Sequence, residues 1–131
     1  MSENLDLVRS IYADWERGDW SRSDWIDPQM ELVSRDGIDP QVLAGRDAIR
    51  GGWREFLSTW SGYSVVAEEF RELSRGRVLV LLHATGHGKA SGVELRGSRG
   101  VNVFEITDGR VTRLILYYDR DRALADLGLK D

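Results

Sequence analysis

The 131-residue sequence contains no cysteine, and that absence excludes several kinds of protein. Without cysteine there is no disulfide framework, no thiol nucleophile and no cysteine-ligated metal site. A chain of this length can instead bury an apolar core of its own, so we expect residues 1–131 to form one domain. The lack of cysteine is also consistent with a cytoplasmic location, which is what we predict.

A basic surplus and long apolar runs are lacking as well. Lysine and arginine number 18 against 22 aspartates and glutamates, so the formal net charge is -4. Such a charge disfavours nucleic acid and anionic membrane surfaces as partners. No apolar segment approaches the roughly 20 residues that a membrane-spanning helix needs. We therefore predict neither nucleic acid nor membrane as a partner.

The first half of the sequence holds all five tryptophans and has apolar residues at helical spacing. Ser2 is a suitable cap for a first helix and Gly18 a suitable end, and a short second helix is predicted over Ser21–Trp25. Gly51 and Gly52 lie inside the third helix, where they indicate either close packing against another backbone or flexibility. The two longer helices are predicted from two apolar stripes: Leu5, Val8, Ile11, Tyr12 and Trp15, then Ile49, Trp53, Phe56, Leu57 and Trp60.

After Gly62 the apolar pattern changes from helical spacing to the alternation of strands. Glycine-containing turns separate four extended segments, which are predicted to pair as antiparallel hairpins in chain order. With a further strand at Met30–Ser34, a polar loop after it through Asp36-Gly37 and Asp39-Pro40, and a short final helix over Asp121–Leu127, the element order predicts an α+β domain. The four segments are Tyr63–Leu73, Val78–Gly86, Val93–Ile106 and Val111–Tyr118.

Four stretches of the chain resemble one known family. LVRSIYADWERGDW lies near the start, AGRDAIRGGWREF leads into the third helix, FEITDGRV forms a hairpin and YYDRDRALADLGL lies near the end. In this order and spacing they resemble the SnoaL-like polyketide cyclase branch of the nuclear transport factor two-like superfamily, which has a cystatin-like cone fold. The resemblance implies a curved antiparallel sheet wrapped around three N-terminal helices, with a pocket inside the cone.

The same resemblance implies a class of function without naming a substrate. We expect a small, largely apolar molecule in the cone and cofactor-independent proton transfer of the cyclase, isomerase or dehydratase type, without a metal ion. A non-catalytic ligand-binding or dimerisation module of the same fold is the alternative. Because relatives commonly dimerise through the outer face of the sheet, a homodimer is expected.

Strand alternation decides which side chains near the end of the chain can enter the cone. Leu114, Leu116 and Tyr118 share one face of the last strand. The resemblance to ketosteroid isomerases places that face, together with Asn102, on the inner wall. In limonene epoxide hydrolases, which are also similar, the water-activating aspartate corresponds to Leu116, and its arginine and aspartate partners fall near Leu82 and Ala84. Because all three positions are apolar or small in this chain, epoxide hydrolysis of that design is disfavoured.

Three residues are the candidates for catalysis: Asn102, Tyr118 and Asp119. The amide of Asn102 can donate a hydrogen bond to a developing oxyanion, or it is a satisfied polar group of a half-buried strand. The phenol of Tyr118 can also donate, or Tyr118 is an amphipathic aromatic near a strand end. Asp119 matches the aspartate that removes a proton beside a carbonyl in SnoaL-like cyclases. Alternation directs Asp119 outward unless the strand bulges, however, and its carboxylate can equally cap the final helix.

Glu31 and His83 are two further candidate proton acceptors. If Glu31 lies on the inner face, burial would raise its pKa; if outer, it is a solvated residue, which we favour. His83 and His87 lie about 13 Å apart along a strand, too far to bind one metal ion, and both are predicted to point outward. The glycine-rich segment Gly86–Gly92 lies between two strands, which predicts a hairpin and not a phosphate-binding loop.

The ligand-binding residues that we predict are aromatic and aliphatic. Such residues are first of all core residues, but a cone that is not filled leaves part of the set free to contact a ligand. They come from two helices and from the inner faces of the strands: Tyr12, Trp15, Trp53, Phe56, Leu82, Phe104, Leu114 and Leu116.

Overall fold

The computed structural model describes residues 2–36, 42–90, 92 and 94–129, so most of the predicted loop after Asp36 lies outside the described residues. The described elements confirm the predicted α+β fold. They follow the chain in the order α1 (Glu3–Glu16), β1 (Ile26–Ser34), β2 (Val42–Ala44), α2 (Arg46–Ser58), β3 (Trp60–Leu73), β4 (Arg77–Gly88), β5 (Glu94–Thr107), β6 (Arg110–Tyr117) and α3 (Arg120–Leu127).

The first helix begins and ends where its sequence predicts. The Ser2 hydroxyl accepts a hydrogen bond from the Leu5 backbone N–H at 3.0 Å, which satisfies one of the free donors of the first turn. Gly18 follows the last turn with a φ of 80°, a left-handed conformation that glycine adopts without strain. The buried face of α1 is the predicted stripe of Val8, Ile11, Tyr12 and Trp15.

The predicted short helix over Ser21–Trp25 is wrong, because this segment contains no helix. Its polar groups bond locally: Asp19 accepts from both the backbone N–H and the hydroxyl of Ser21, and the Trp25 indole N–H donates to the carbonyl of Arg22 at 3.1 Å. Such local bonds compete with a helical ladder. Two helices therefore precede the long strands, and the third, α3, follows them. Strand β1 also begins four residues before the predicted start at Met30.

The six strands form one sheet in the order β2-β1-β6-β5-β4-β3. The predicted hairpins from β3 to β6 are confirmed, since each strand pairs antiparallel with the next along the chain. β1 instead pairs parallel with β6, which places the start of the chain's sheet beside its end. In the glycine-rich segment between β4 and β5, the N–H of Gly92 bonds to the carbonyl of Gly88 at 3.0 Å, as expected for a hairpin connection, while Ser91 lies outside the described residues.

The two faces of the sheet bury two separate clusters. On the inner face, Phe104 and Leu114 pack with the residues of α1. On the outer face, Val103 and Ile115 pack with Ala123 of α3. The alternation predicted for β5 and β6 is thereby confirmed. None of the described helices combines the length and the apolar character needed to cross a membrane.

Candidate functional site

The inner face of the sheet, α1 and α2 enclose a cavity of about 790 Å³, which we call the cone. Its volume lies within the range of about 300–1,000 Å³ that is typical of small-molecule sites. Helix α2 supplies Trp53 and Phe56, whose rings lie 6.1 Å apart and nearly parallel. Most of the wall is aromatic or aliphatic, and its aromatic side chains are Trp15, Trp20, Trp53, Phe56, Trp60, Tyr63, Tyr117 and Tyr118.

Asn102 is the most deeply placed polar side chain in the wall of the cone. It lies on β5 between the inner residues of neighbouring strands and is only 9% exposed. Its amide nitrogen donates a hydrogen bond to the phenol oxygen of Tyr12 at 2.6 Å. Burial raises the pKa of the Tyr12 phenol above its ordinary value, so the phenol stays neutral and keeps its role in this bond. One amide hydrogen of Asn102 is thus bonded to Tyr12, while the second amide hydrogen and the amide oxygen are not used in this bond.

Five of the eight predicted ligand-binding residues lie in the wall of the cone. They are Trp15, Trp53, Phe56, Leu82 and Leu116. Tyr12 and Phe104 lie behind that wall, 1% and 0% exposed, with their rings 5.9 Å apart in an edge-to-face contact. Leu114 lies in the wall of a second, smaller cavity. Tyr12 and Phe104 therefore support the cone without lining it.

Tyr118 lies at the rim of the cone, 56% exposed. Its position depends on Asp36, a buried residue that the sequence pattern did not single out. The two oxygens of the Asp36 carboxylate accept hydrogen bonds from the backbone N–H groups of Tyr118, at 2.7 Å, and of Asp119, at 3.0 Å. This carboxylate fixes the chain where β6 ends, and so fixes the rim.

Asp119 lies outside the wall of the cone and caps α3. Its backbone is extended, and its carboxylate accepts a hydrogen bond from the N–H of Arg122 at 3.3 Å. The side chain is exposed and faces neither Asn102 nor the aromatic wall. The capping alternative is therefore realised, and a catalytic role for Asp119 stays a prediction without a contact in the cone to support it.

The two other candidate acceptors point away from the cone, as predicted. Glu31 is half-exposed, 3.7 Å from the guanidinium of Arg113. His83 lies on the outer face, where its Nδ1 is 3.2 Å from a carboxylate oxygen of Glu68. Among the described residues, no group of three or more histidines, aspartates and glutamates is arranged to hold a metal ion.

Sequence reasoning missed several residues of the wall, notably Trp20, Tyr63 and Glu55. Trp20 belongs to neither of the two predicted apolar stripes, yet its ring lies 5.8 Å from that of Tyr63. Burial, together with the neighbouring Tyr118, raises the pKa of Tyr63 to about 12. Glu55 precedes Phe56 on α2, and it is the only carboxylate among the described residues of the wall. The sequence did contain a signal for Glu55, since it directly precedes Phe56 of the predicted stripe, but the apolar spacing alone does not select a charged residue.

Comparison with known proteins agrees with this architecture. A family model described as a SnoaL-like domain matches residues 8–114. Among proteins with curated descriptions, none matches the chain significantly. A solved structure of an NTF2-like protein of unknown function from Burkholderia pseudomallei K96243 has a TM-score of 0.78 at 20% identity, covering 95% of this chain and 97% of its own.

Two further solved structures have the same fold. TerC, co-crystallised with polyporic acid, has a TM-score of 0.73 at 20% identity, covering 96% of this chain and 98% of its own. A protein from Jannaschia sp. CCS1, proposed to be a SnoaL-like polyketide cyclase, has a TM-score of 0.69 at 18% identity, covering 87% of this chain and 83% of its own. At these identities the likeness concerns the fold and not the activity.

Proposed function

Because the chain belongs to the SnoaL-like domain family, whose model matches residues 8–114, we propose that it binds a small, flat and largely apolar ligand in the cone. Asn102 donates a hydrogen bond to a carbonyl group of that ligand. The observation that carries the proposal is the single buried amide, held in place by Tyr12, in a cavity of about 790 Å³ with aromatic walls.

The aromatic walls support a flat ligand. Trp15, Trp20 and Trp53 contact one another with ring centroids 5.3 to 5.8 Å apart. Indole faces at these distances offer broad, rigid surfaces on which a ring system can stack. A flat ligand would bury large apolar area against them at little entropic cost to the protein.

The polar groups support a carbonyl as the ligand's hydrogen-bonding group. Asn102 uses one amide hydrogen on Tyr12 and has a second to offer. Leu82, Ala84 and Leu116 lie around the cone and add no polar group to its wall. The phenol of Tyr63 is a second donor in the wall, but the Asn102 amide is the donor that a buried hydrogen bond holds in a fixed direction, so a bond to it would fix the orientation of a ligand carbonyl.

Binding without proton transfer is the function that the geometry supports best. Removing a proton beside a carbonyl needs a base within hydrogen-bonding reach of the ligand. The predicted acceptors Asp119, Glu31 and His83 do not line the cone. Glu55 does line it, and this position favours proton transfer by Glu55 as the second candidate function.

The binding proposal is tested with two probes of the same shape, 9-fluorenone, which has a carbonyl, and fluorene, which has none. We expect both to quench tryptophan fluorescence and fluorenone to bind about fivefold tighter, since a net hydrogen bond contributes about 1 kcal/mol. In Asn102→Leu the preference for fluorenone disappears while fluorene binds as before. An unchanged preference in this variant would contradict the role of Asn102.

A matched pair of variants on β4 locates the probe. Ala84 lies in the wall of the cone, whereas its neighbour Thr85 is exposed. We expect Ala84→Leu to weaken binding of both probes more than tenfold because it fills the cavity, and Thr85→Leu to leave both affinities unchanged. Equal effects of the two substitutions would place the probe elsewhere.

Proton transfer is tested by following deuterium exchange at the carbons beside the carbonyl of 2-tetralone. We expect no acceleration over buffer by the wild-type protein. Acceleration that is lost in Glu55→Gln and kept in Asp119→Asn would establish the second candidate instead.

A further inference from the structure

A second cavity of about 330 Å³ adjoins the cone. Trp15, Trp20 and Trp53 belong to the walls of both cavities, and their rings contact one another at 5.3 to 5.8 Å; we call these three indoles the tryptophan partition. The floor of the second cavity is apolar and buried: Trp25 is 6% exposed, Met30 0% and Ile49 3%.

The rim of the second cavity is basic. Arg50 and Arg54 come from α2, where a spacing of four residues puts them on one face of the helix. Arg22 joins them from the segment that connects α1 to β1. Among the described residues that line this cavity there is no aspartate or glutamate, whereas the cone has Glu55.

The arginines of the rim differ in how their charge is balanced. Arg22 is 2.7 Å from a carboxylate oxygen of Asp24 and 3.5 Å from one of Asp14. Within the part of the chain that the structure describes, Arg50 and Arg54 form neither an ion pair nor a side-chain hydrogen bond. Two exposed arginines of one helix thus line an aromatic cavity with no anionic partner among the described residues.

We propose that this cavity is a second binding site and that it takes an aromatic carboxylate. The ring of the ligand packs against Trp25 and the tryptophan partition, and its carboxylate accepts hydrogen bonds from Arg50 and Arg54. A planar guanidinium matches a planar carboxylate in two parallel hydrogen bonds, which a neutral ligand of the same shape cannot make. A cavity of about 330 Å³ suits a ligand of one or two fused rings.

The site is tested by isothermal titration with 2-naphthoate and its neutral analogue 2-naphthalenemethanol. We expect naphthoate to bind at least tenfold tighter than the alcohol. This difference in affinity should shrink as the salt concentration is raised from about 20 to about 500 mM, because salt screens the charges of exposed arginines. The double variant Arg50→Gln/Arg54→Gln should lose that advantage, about tenfold in affinity for naphthoate. Equal affinities of the two probes for the wild-type protein would overturn the proposal.

Arg96 provides the matched control, because its side chain on β5 is 82% exposed and neither Arg96 nor its pairing partner Thr85 lines the second cavity. Arg96→Gln removes one positive charge and should leave naphthoate binding unchanged. If it weakens binding as much as Arg50→Gln does alone, the effect is that of net charge and no site exists at α2. Circular dichroism of each variant confirms that the fold is retained.

A further variant separates this site from the cone. Ala84→Leu narrows the cone, whereas Ala84 does not line the second cavity, so naphthoate should bind to this variant as to the wild type. Loss of naphthoate binding in Ala84→Leu would place the acid in the cone and refute the second site. Because the binding proposal for the cone is tested with neutral fluorenone, failure of one proposal leaves the other standing.

Discussion

Replacing Tyr12 by phenylalanine tests the buried contact that holds Asn102. The substitution removes only the phenol oxygen, which lies 2.6 Å from the Asn102 amide nitrogen, and Tyr12 is 1% exposed, so water cannot readily take its place. A buried donor left without a partner costs about 1–3 kcal/mol. We expect the free energy of unfolding to fall by about that amount, measured by urea denaturation followed by far-ultraviolet circular dichroism.

The double variant decides whether the loss comes from this hydrogen bond. Asn102→Leu alone leaves the Tyr12 hydroxyl unpaired, so it should also destabilise the protein by about 1–3 kcal/mol. When both polar partners are removed together, no buried group is left unsatisfied, and the double variant should cost clearly less than the sum of the single ones. We expect a coupling energy of about 1 kcal/mol. Additivity within about 0.5 kcal/mol, with the slope of free energy against urea unchanged in all four proteins, would refute the bond as the reason that Asn102 is buried.

Three other substitutions test the packing and charge of the fold. Gly51→Ala should stabilise the protein by about 0.5–1 kcal/mol in urea denaturation, because a Cβ there meets nothing within 4 Å and alanine favours the helix; destabilisation would contradict this. Gly100→Ala should destabilise it by about 1–3 kcal/mol, since the added Cβ would lie 2.8 Å from the backbone oxygen of Tyr117. An unchanged urea midpoint would show instead that β5 and β6 can separate to accommodate the methyl group without loss of stability. The hydrogen bond from Arg120 holds the pKa of Glu68 below its ordinary value of 4.5. The folded protein therefore binds fewer protons at this carboxyl than the unfolded one, so its stabilising effect is complete above about pH 4.5 and is lost as the pH falls through the lowered pKa. Glu68→Gln should accordingly lower the urea midpoint at pH 7 and differ less from the wild type at pH 3, and an equal difference at both pH values would exclude this charge effect.

The long strands were predictable because their signals are local. Alternation defines the faces of β5 and β6, and turns such as that at Gly109 fix where one strand ends and the next begins. The parallel pairing of β1 with β6 has no such local signal. The two strands lie some 80 residues apart in the sequence, and only the tertiary fold brings them together. For the same reason strand β2, three residues long and paired only with β1, was not predicted.

The candidate site was predictable where alternation governs it and not where the chain leaves regular structure. Asn102 was placed on the inner wall by its strand parity and by the family resemblance, and it lies there. Asp36 follows the end of β1 in a segment that looked like an ordinary polar turn, yet it is buried and fixes the backbone at Tyr118. Trp20 lies on a segment whose local hydrogen bonds replaced the expected helix, so its entry into the wall depended on tertiary contacts with α2.

The distribution of charge between the two cavities is the reason for assigning them different ligands. The cone has a neutral amide at depth, phenols at Tyr63 and Tyr118, and the carboxylate of Glu55, which would repel an anion. The pKa of Tyr63, raised by burial to about 12, keeps that phenol neutral through the physiological range. On the binding proposal, the cone would therefore select by hydrogen-bond direction and shape, as suits a neutral ketone. The second cavity, where Arg50 and Arg54 have no anionic partner among the described residues, would select by charge. Because the tryptophan partition belongs to the walls of both cavities, the two proposed ligands would stack on the same indoles, and the polar groups of each cavity would decide the affinity for its own ligand.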